Sequence, residues 1–140
     1  MTVSAARIRN IFQAAYPNDY FYVCKFTAPG GSSSYEGQIL LNVQLGDQDW
    51  LRVYKLSKSS GLPVNTDDIK RKAFPFVFDT KGITNNEKRR DRIRNSLRSV
   101  FPHHHIHVII YNDAWESASS AKGSASFMNE YGSDVCVILS

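Results

Sequence analysis

Tyr35-Glu36-Gly37-Gln38-Ile39-Leu40-Leu41-Asn42-Val43-Gln44-Leu45 alternates between apolar and polar side chains: Tyr35, Ile39, Leu41, Val43 and Leu45 oppose Glu36, Gln38, Asn42 and Gln44. An extended chain sends successive side chains to opposite faces, so this stretch is a strand with one dry face and one wet face. Strands of that kind belong to antiparallel sheets, because parallel strands are covered on both faces and are apolar throughout. Gly46-Asp47-Gln48-Asp49 reads as a turn into a second strand, Trp50 to Leu56. Upstream, Asp19 to Thr27 places Tyr20, Tyr22, Cys24 and Phe26 on one face and Phe21, Val23, Lys25 and Thr27 on the other. Pro29-Gly30-Gly31 and the serines that follow connect it to the alternating stretch, and the three strands together predict an antiparallel meander.

Working outward, Ile8, Ile11, Phe12 and Ala15 share one face of a first helix. Ser57 to Val64 is a loop, a short helix begins at Thr66 with Asp67 and Asp68 in its first turn, and Phe74 to Asp79 is predicted as an edge strand because Pro75 lacks an amide. Thr84 followed by Glu87 forms a capping box, and Ile93, Leu97, Val100 and Phe101 form the stripe of a helix ended by Pro102. His103 to Tyr111 is a strand, and Asp113 to Ser126 is predicted as a weak helix broken at Gly123. Phe127, Met128 and Tyr131 form a last helical turn closed by Gly132, and Val135 to Leu139 is a final strand. The order predicts a single α+β domain over residues 1–140, with a mainly antiparallel sheet and helices packed on one face.

The apolar fraction of 42% and aromatic fraction of 12% are those of a folded chain. Cys24 and Cys136 lie in predicted strands far apart and read as free buried thiols. No signal-peptide segment and no apolar run of spanning length is visible, so the expectation is an intracellular, cytoplasmic protein with no membrane partner. The net charge of +4 is regional: Lys70 to Arg98 holds ten lysines and arginines against three acids, a net +7, and the rest of the chain carries −3. Lys88, Arg89, Arg90, Arg92, Arg94 and Arg98 crowd the helix before Pro102. Guanidinium forks at that density are suited to phosphate, so these six are the candidate nucleic-acid-binding residues, with single-stranded DNA or RNA as partner.

All four histidines lie at 103, 104, 105 and 107, leading into Val108-Ile109-Ile110. Strand alternation sets His105 and His107 on one face, spaced to share a divalent ion such as Mg²⁺ or Mn²⁺, with Glu36, Asp113 and Glu116 as available third ligands and Glu36 taken first. Such an ion would polarise a phosphodiester oxygen or activate water. His105-Ile106-His107 before Val-Ile-Ile resembles the His-hydrophobic-His motif of the HUH endonucleases, which nick single-stranded DNA. That resemblance, over about five residues, implies that His105 and His107 ligate the metal and that Tyr131 is the attacking nucleophile.

The function expected is nucleic-acid binding, with His-dependent, metal-assisted phosphodiester cleavage as its sharper form. Two alternatives remain open. One is a metal-independent ribonuclease in which a histidine is general acid or base and Arg90 or Arg94 stabilises the phosphorane. The other is a non-enzymatic inhibitor, immunity or assembly module that meets an acidic protein partner. Phosphate-cradling Gly-rich loops, serine-hydrolase elbows and Cys-x-x-Cys knuckles are missing from the sequence, which argues against nucleotide-cofactor enzymes and serine hydrolases.

Overall fold

Eight strands form two four-stranded antiparallel sheets in a computed structural model that describes residues 4–27, 32–112, 115–128 and 133–140. In chain order the elements are α1 (Ala5–Ala15), β1 (Tyr20–Thr27), β2 (Ser32–Ser34), β3 (Gly37–Gln44), β4 (Asp49–Leu56), α2 (Thr66–Asp79), α3 (Asn86–Val100), β5 (Ile106–Tyr111), β6 (Trp115–Ser119), β7 (Gly123–Phe127) and β8 (Asp134–Leu139). One sheet runs β3-β4-β1-β6 and the other β2-β5-β8-β7.

Side-chain alternation makes four layers. Phe21 and Val23 of β1, with Leu51 and Val53 of β4, pack under α1. The opposite faces of those strands, Tyr22, Cys24, Tyr54 and Leu56, meet Ile109, Tyr111, Cys136 and Ile138 of the second sheet. On the far side of that sheet, Ile106, Val108, Ile110, Val135, Val137 and Leu139 pack against Ile69, Ala73 and Val77 of α2 and Ile93 and Leu97 of α3. The fold is therefore α+β and antiparallel, and each sheet carries its helices on one face. No helix among the described residues is long and apolar enough to cross a membrane.

The layer between the sheets is aromatic and polar. The Tyr22 and Tyr111 hydroxyls meet at 2.5 Å, and the Arg52 guanidinium lies over the rings of Phe26 and Tyr54. Cys24 and Cys136 are buried and free, as expected, and burial pushes the Cys24 thiol up to about 11.

Five local expectations are corrected. The apolar residues of the alternating stretch do not share one dry face, because the register shifts between Ile39 and Leu41, which sets Ile39 opposite Tyr54 and Leu41 opposite Val53, and Ile39, Val43 and Leu45 are exposed at the outer strand of the sheet. The first three long strands are not a meander in chain order, because β1 pairs with β4 and β3 lies outside β4. Phe74 to Asp79 is the second half of α2, with Pro75 inside the helix. The missing Pro75 amide costs one hydrogen bond, while Ile69, Ala73 and Val77 recur every four residues on the face that meets the sheet. The cap of α3 is Asn85, whose side chain accepts from the Lys88 amide at 3.0 Å, and not Thr84. The Ala/Ser-rich stretch is two strands, β6 and β7, with Phe127 in β7. Its small side chains give a helix no apolar stripe, whereas they fit beside the rings between the sheets, where Ser117 faces Tyr22 and Ser126 donates to Cys136.

Candidate nucleic-acid interface at the histidine strand

The chain enters β5 from Pro102, and the residues just before the strand are held by reciprocal backbone bonds between His105 and Ser140, at 3.2 and 3.0 Å. His105 and His107 project to the same side, as alternation requires, but at different depths. His107 is fully buried. Its Nδ1 accepts from the Glu36 amide at 3.0 Å, and its Nε2 lies 2.7 Å from Ser140 Oγ. The Ser140 hydroxyl donates to the Ser57 carbonyl at 2.5 Å, so its oxygen is left to accept, and the proton on His107 is on Nε2. Burial, reinforced by the charges of Arg94 and His105, lowers the His107 pKa from an ordinary 6.5 to about 3. It is a neutral structural histidine.

His105 stands at the surface with its side chain 36% exposed. Its Nδ1 contacts Glu36 Oε2, and Glu36 Oε1 pairs with Arg94 Nη2 at 3.2 Å. Arg94 is anchored in turn by donating from Nε to the Ile106 carbonyl at 3.0 Å. Arg98, one helical turn further along α3, opens into the same space. Around these groups is a cleft of about 410 Å³, lined by Glu36, Ser59, Ser60, Arg94, Arg98, residues 101–103, His104, His105 and Ile106. One carboxylate thus faces two guanidiniums and three imidazoles.

The loop before α2 forms the opposite wall. His104 clasps it through Nε2, 2.7 Å from the Leu62 carbonyl, with its ring edge-on to Phe101. Gly61 makes the approach possible, since a Cβ there would stand 2.4 Å from the His104 ring. Ser59 donates to the Ser140 carbonyl, which ties this wall to the end of β8.

The six cations expected to form one phosphate-binding row divide into three groups. Arg89 is buried and is spent on the protein, donating to Thr80 Oγ1 at 3.2 Å, the Ser133 carbonyl at 3.0 Å and the Val77 carbonyl at 3.0 Å. Lys88 and Arg92 are exposed and do not line the cleft. Arg90, Arg94 and Arg98 recur at every fourth position along one flank, where Arg90 ties β2 to the helix through Ser32 Oγ at 2.7 Å and the Ser33 carbonyl at 2.9 Å. Only Arg94 and Arg98 reach the cleft.

The metal set of His105, His107 and Glu36 does not fit a divalent ion. A ligating imidazole needs an unshared pair directed at the metal, and both nitrogens of His107 are already engaged inside the protein. Among the described residues no three His, Cys, Asp or Glu side chains converge. Of the other carboxylates considered, Glu116 lies on β6 and accepts from the Ala5 amide, and Asp113 is outside the described residues, as is the proposed nucleophile Tyr131. Glu36 belongs to the site as the partner of His105 and Arg94. The role of the Ser59-Ser60 wall had no signal in the sequence, since it depends on a loop folding back against β8. No family model, curated protein or solved structure matches the chain.

Proposed function

We propose that this protein binds the phosphodiester backbone of a single-stranded nucleic acid in the cleft between α3 and the loop before α2. The observation that supports the reading is that Arg94 and Arg98 lie together on a concave surface whose other polar groups are imidazoles, serine hydroxyls and the one Glu36 carboxylate, which pairs with Arg94 and leaves Arg98 uncompensated. Arg98 has no ion-pair partner among the described residues, so its fork is available to a phosphate oxygen. Exposed cations on a convex helix would also attract a polyanion, but a cleft excludes water from around the contact and strengthens it.

Fluorescence anisotropy of a labelled 12-mer of RNA and of DNA between 50 and 300 mM salt tests this. Two neutralised phosphates give a slope of log affinity against log salt of about −1.4, and Arg98→Ala should reduce its magnitude by about 0.7. Arg92→Ala, outside the cleft, should leave a larger share of the slope intact. Salt-independent affinity, or no affinity for either strand, rejects the reading in favour of a module that meets a protein partner.

A further inference from the structure

We infer that the cleft cuts RNA by internal transesterification, with His105, held by Glu36, taking the proton of a ribose 2′-hydroxyl. The inference rests on the backbone-binding reading and adds the sugar and the reaction to it. A carboxylate at Nδ1 keeps the imidazole proton on that nitrogen and leaves the unshared pair on Nε2, which has no partner among the described residues and belongs to a ring 36% exposed. Glu36 is fixed at both ends, its carboxylate by Arg94 and its amide by the buried His107. The dyad is therefore set before any substrate arrives.

The nucleophile is what selects RNA. No cysteine or tyrosine lines the described cleft, and the Ser59 hydroxyl is spent on the Ser140 carbonyl. A ribose hydroxyl brings its own oxygen to the adjacent phosphorus, where effective molarities of about 10⁵–10⁸ M replace the work of activating water. A base, a proton donor and guanidiniums facing the phosphate then complete the requirement.

In the step, the 2′-O–P bond forms and the P–O5′ bond breaks. The 2′-hydroxyl proton passes to Nε2 of His105, and O5′ leaves with a proton donated by the ring of His103, an exposed residue that also lines the cleft. His104 is not available for this, because its Nε2 is held by the Leu62 carbonyl and its Nδ1 is buried. Arg94 and Arg98 take up the negative charge that grows on the phosphorane oxygens. Nothing is oxidised or reduced, and the products are a 2′,3′-cyclic phosphate and a free 5′-hydroxyl.

The test uses end-labelled RNA, the same sequence as DNA, and RNA with one deoxyribose, each incubated in chelator with the wild type, His105→Asn, Glu36→Gln and His103→Ala. RNA should be cut to cyclic-phosphate ends, DNA should be bound and left intact, and the bond after the single deoxyribose should survive. His105→Asn should slow cleavage by about 10²–10⁴-fold while binding RNA with the wild-type salt slope, which also shows that the variant is folded. Cleavage of DNA at a similar rate, dependence on a divalent ion, or Arg98-dependent RNA binding without any cleavage overturns the inference and spares the binding reading. Loss of Arg98-dependent binding by the wild type removes both.

Discussion

Replacing His107 with glutamine should flatten the acid limb of the stability curve. In the native protein this imidazole is neutral, with its pKa lowered to about 3 by burial, whereas in the unfolded chain it returns to about 6.5. The unfolded state therefore binds a proton that the folded state refuses. Stability is fully present above pH 6.5 and is lost as the pH falls toward 3, at about 1.4 kcal/mol per pH unit. Between pH 7.5 and pH 5 the loss is about 2 kcal/mol, because roughly 1.5 units of that interval lie below the unfolded pKa. Glutamine can accept from the Glu36 amide and donate to Ser140 Oγ as the imidazole does, but it does not titrate. At pH 7.5 the variant should be less stable by about 1–2 kcal/mol from imperfect packing, and at pH 5 that gap should close or reverse. Urea unfolding of both proteins at pH 7.5, 6 and 5 reads the difference, and every other titrating group cancels in the subtraction. A gap of the same size at all three values refutes the assignment of His107 as a buried neutral residue.

Asn85→Ala should cost about 1 kcal/mol by urea unfolding and Thr84→Ala almost nothing, because the Asn85 side chain caps α3; the reverse order would restore the capping box. Gly37→Ala should be severely destabilising, by about 3 kcal/mol or more in the same assay, since φ is 146° and a Cβ would lie 2.0 Å from the Lys55 carbonyl; a near-neutral result would show that β3 leaves this register. Tyr22→Phe should cost about 1–2 kcal/mol through loss of the buried contact with Tyr111, and the double variant with Tyr111→Phe should cost less than the two single changes added; strict additivity would mean that the hydroxyls do not interact.

Much of the fold was legible because alternation is a local property. β1 and β3 show as strands in the order of their own side chains, though the shift at Ile39/Leu41 defeats the single dry face of β3, while β5 and β8 show as short apolar runs; parity assigns Tyr22 and Cys24 to one layer and Phe21 and Val23 to another. What failed depends on partners remote in the chain. Pro75 signals an edge strand when read locally, but α2 is decided by Ile69, Ala73 and Val77 finding the second sheet. The serines and alanines of β6 and β7 carry no pattern of their own, and they become strands because β1 and β8 offer them edges. Likewise Arg89 is indistinguishable in sequence from its neighbours, yet its position on the helix turns it inward onto three oxygens.

The histidine strand shows both outcomes in a space of three residues. Parity correctly set His105 and His107 on one face, but a face of a strand has depth, and the alternation that aligns the two rings also carries the second beneath the surface as the strand enters the layer between the sheets. That burial divides the pair by role. His107 takes the Glu36 amide and so fixes the residue whose carboxylate then meets His105 and Arg94, seventy-one positions away from the ring that holds it. The His-hydrophobic-His spacing thus supplies one buried ring that positions Glu36 and one exposed ring that meets its carboxylate, and under the proposed transesterification only the exposed ring reacts. On this account, His107→Gln should leave the Glu36 carboxylate near its native place, whereas a leucine at 107 fills the volume but leaves the Glu36 amide without an acceptor. His107→Leu should therefore weaken cleavage at the His105 cleft beyond any change in global stability.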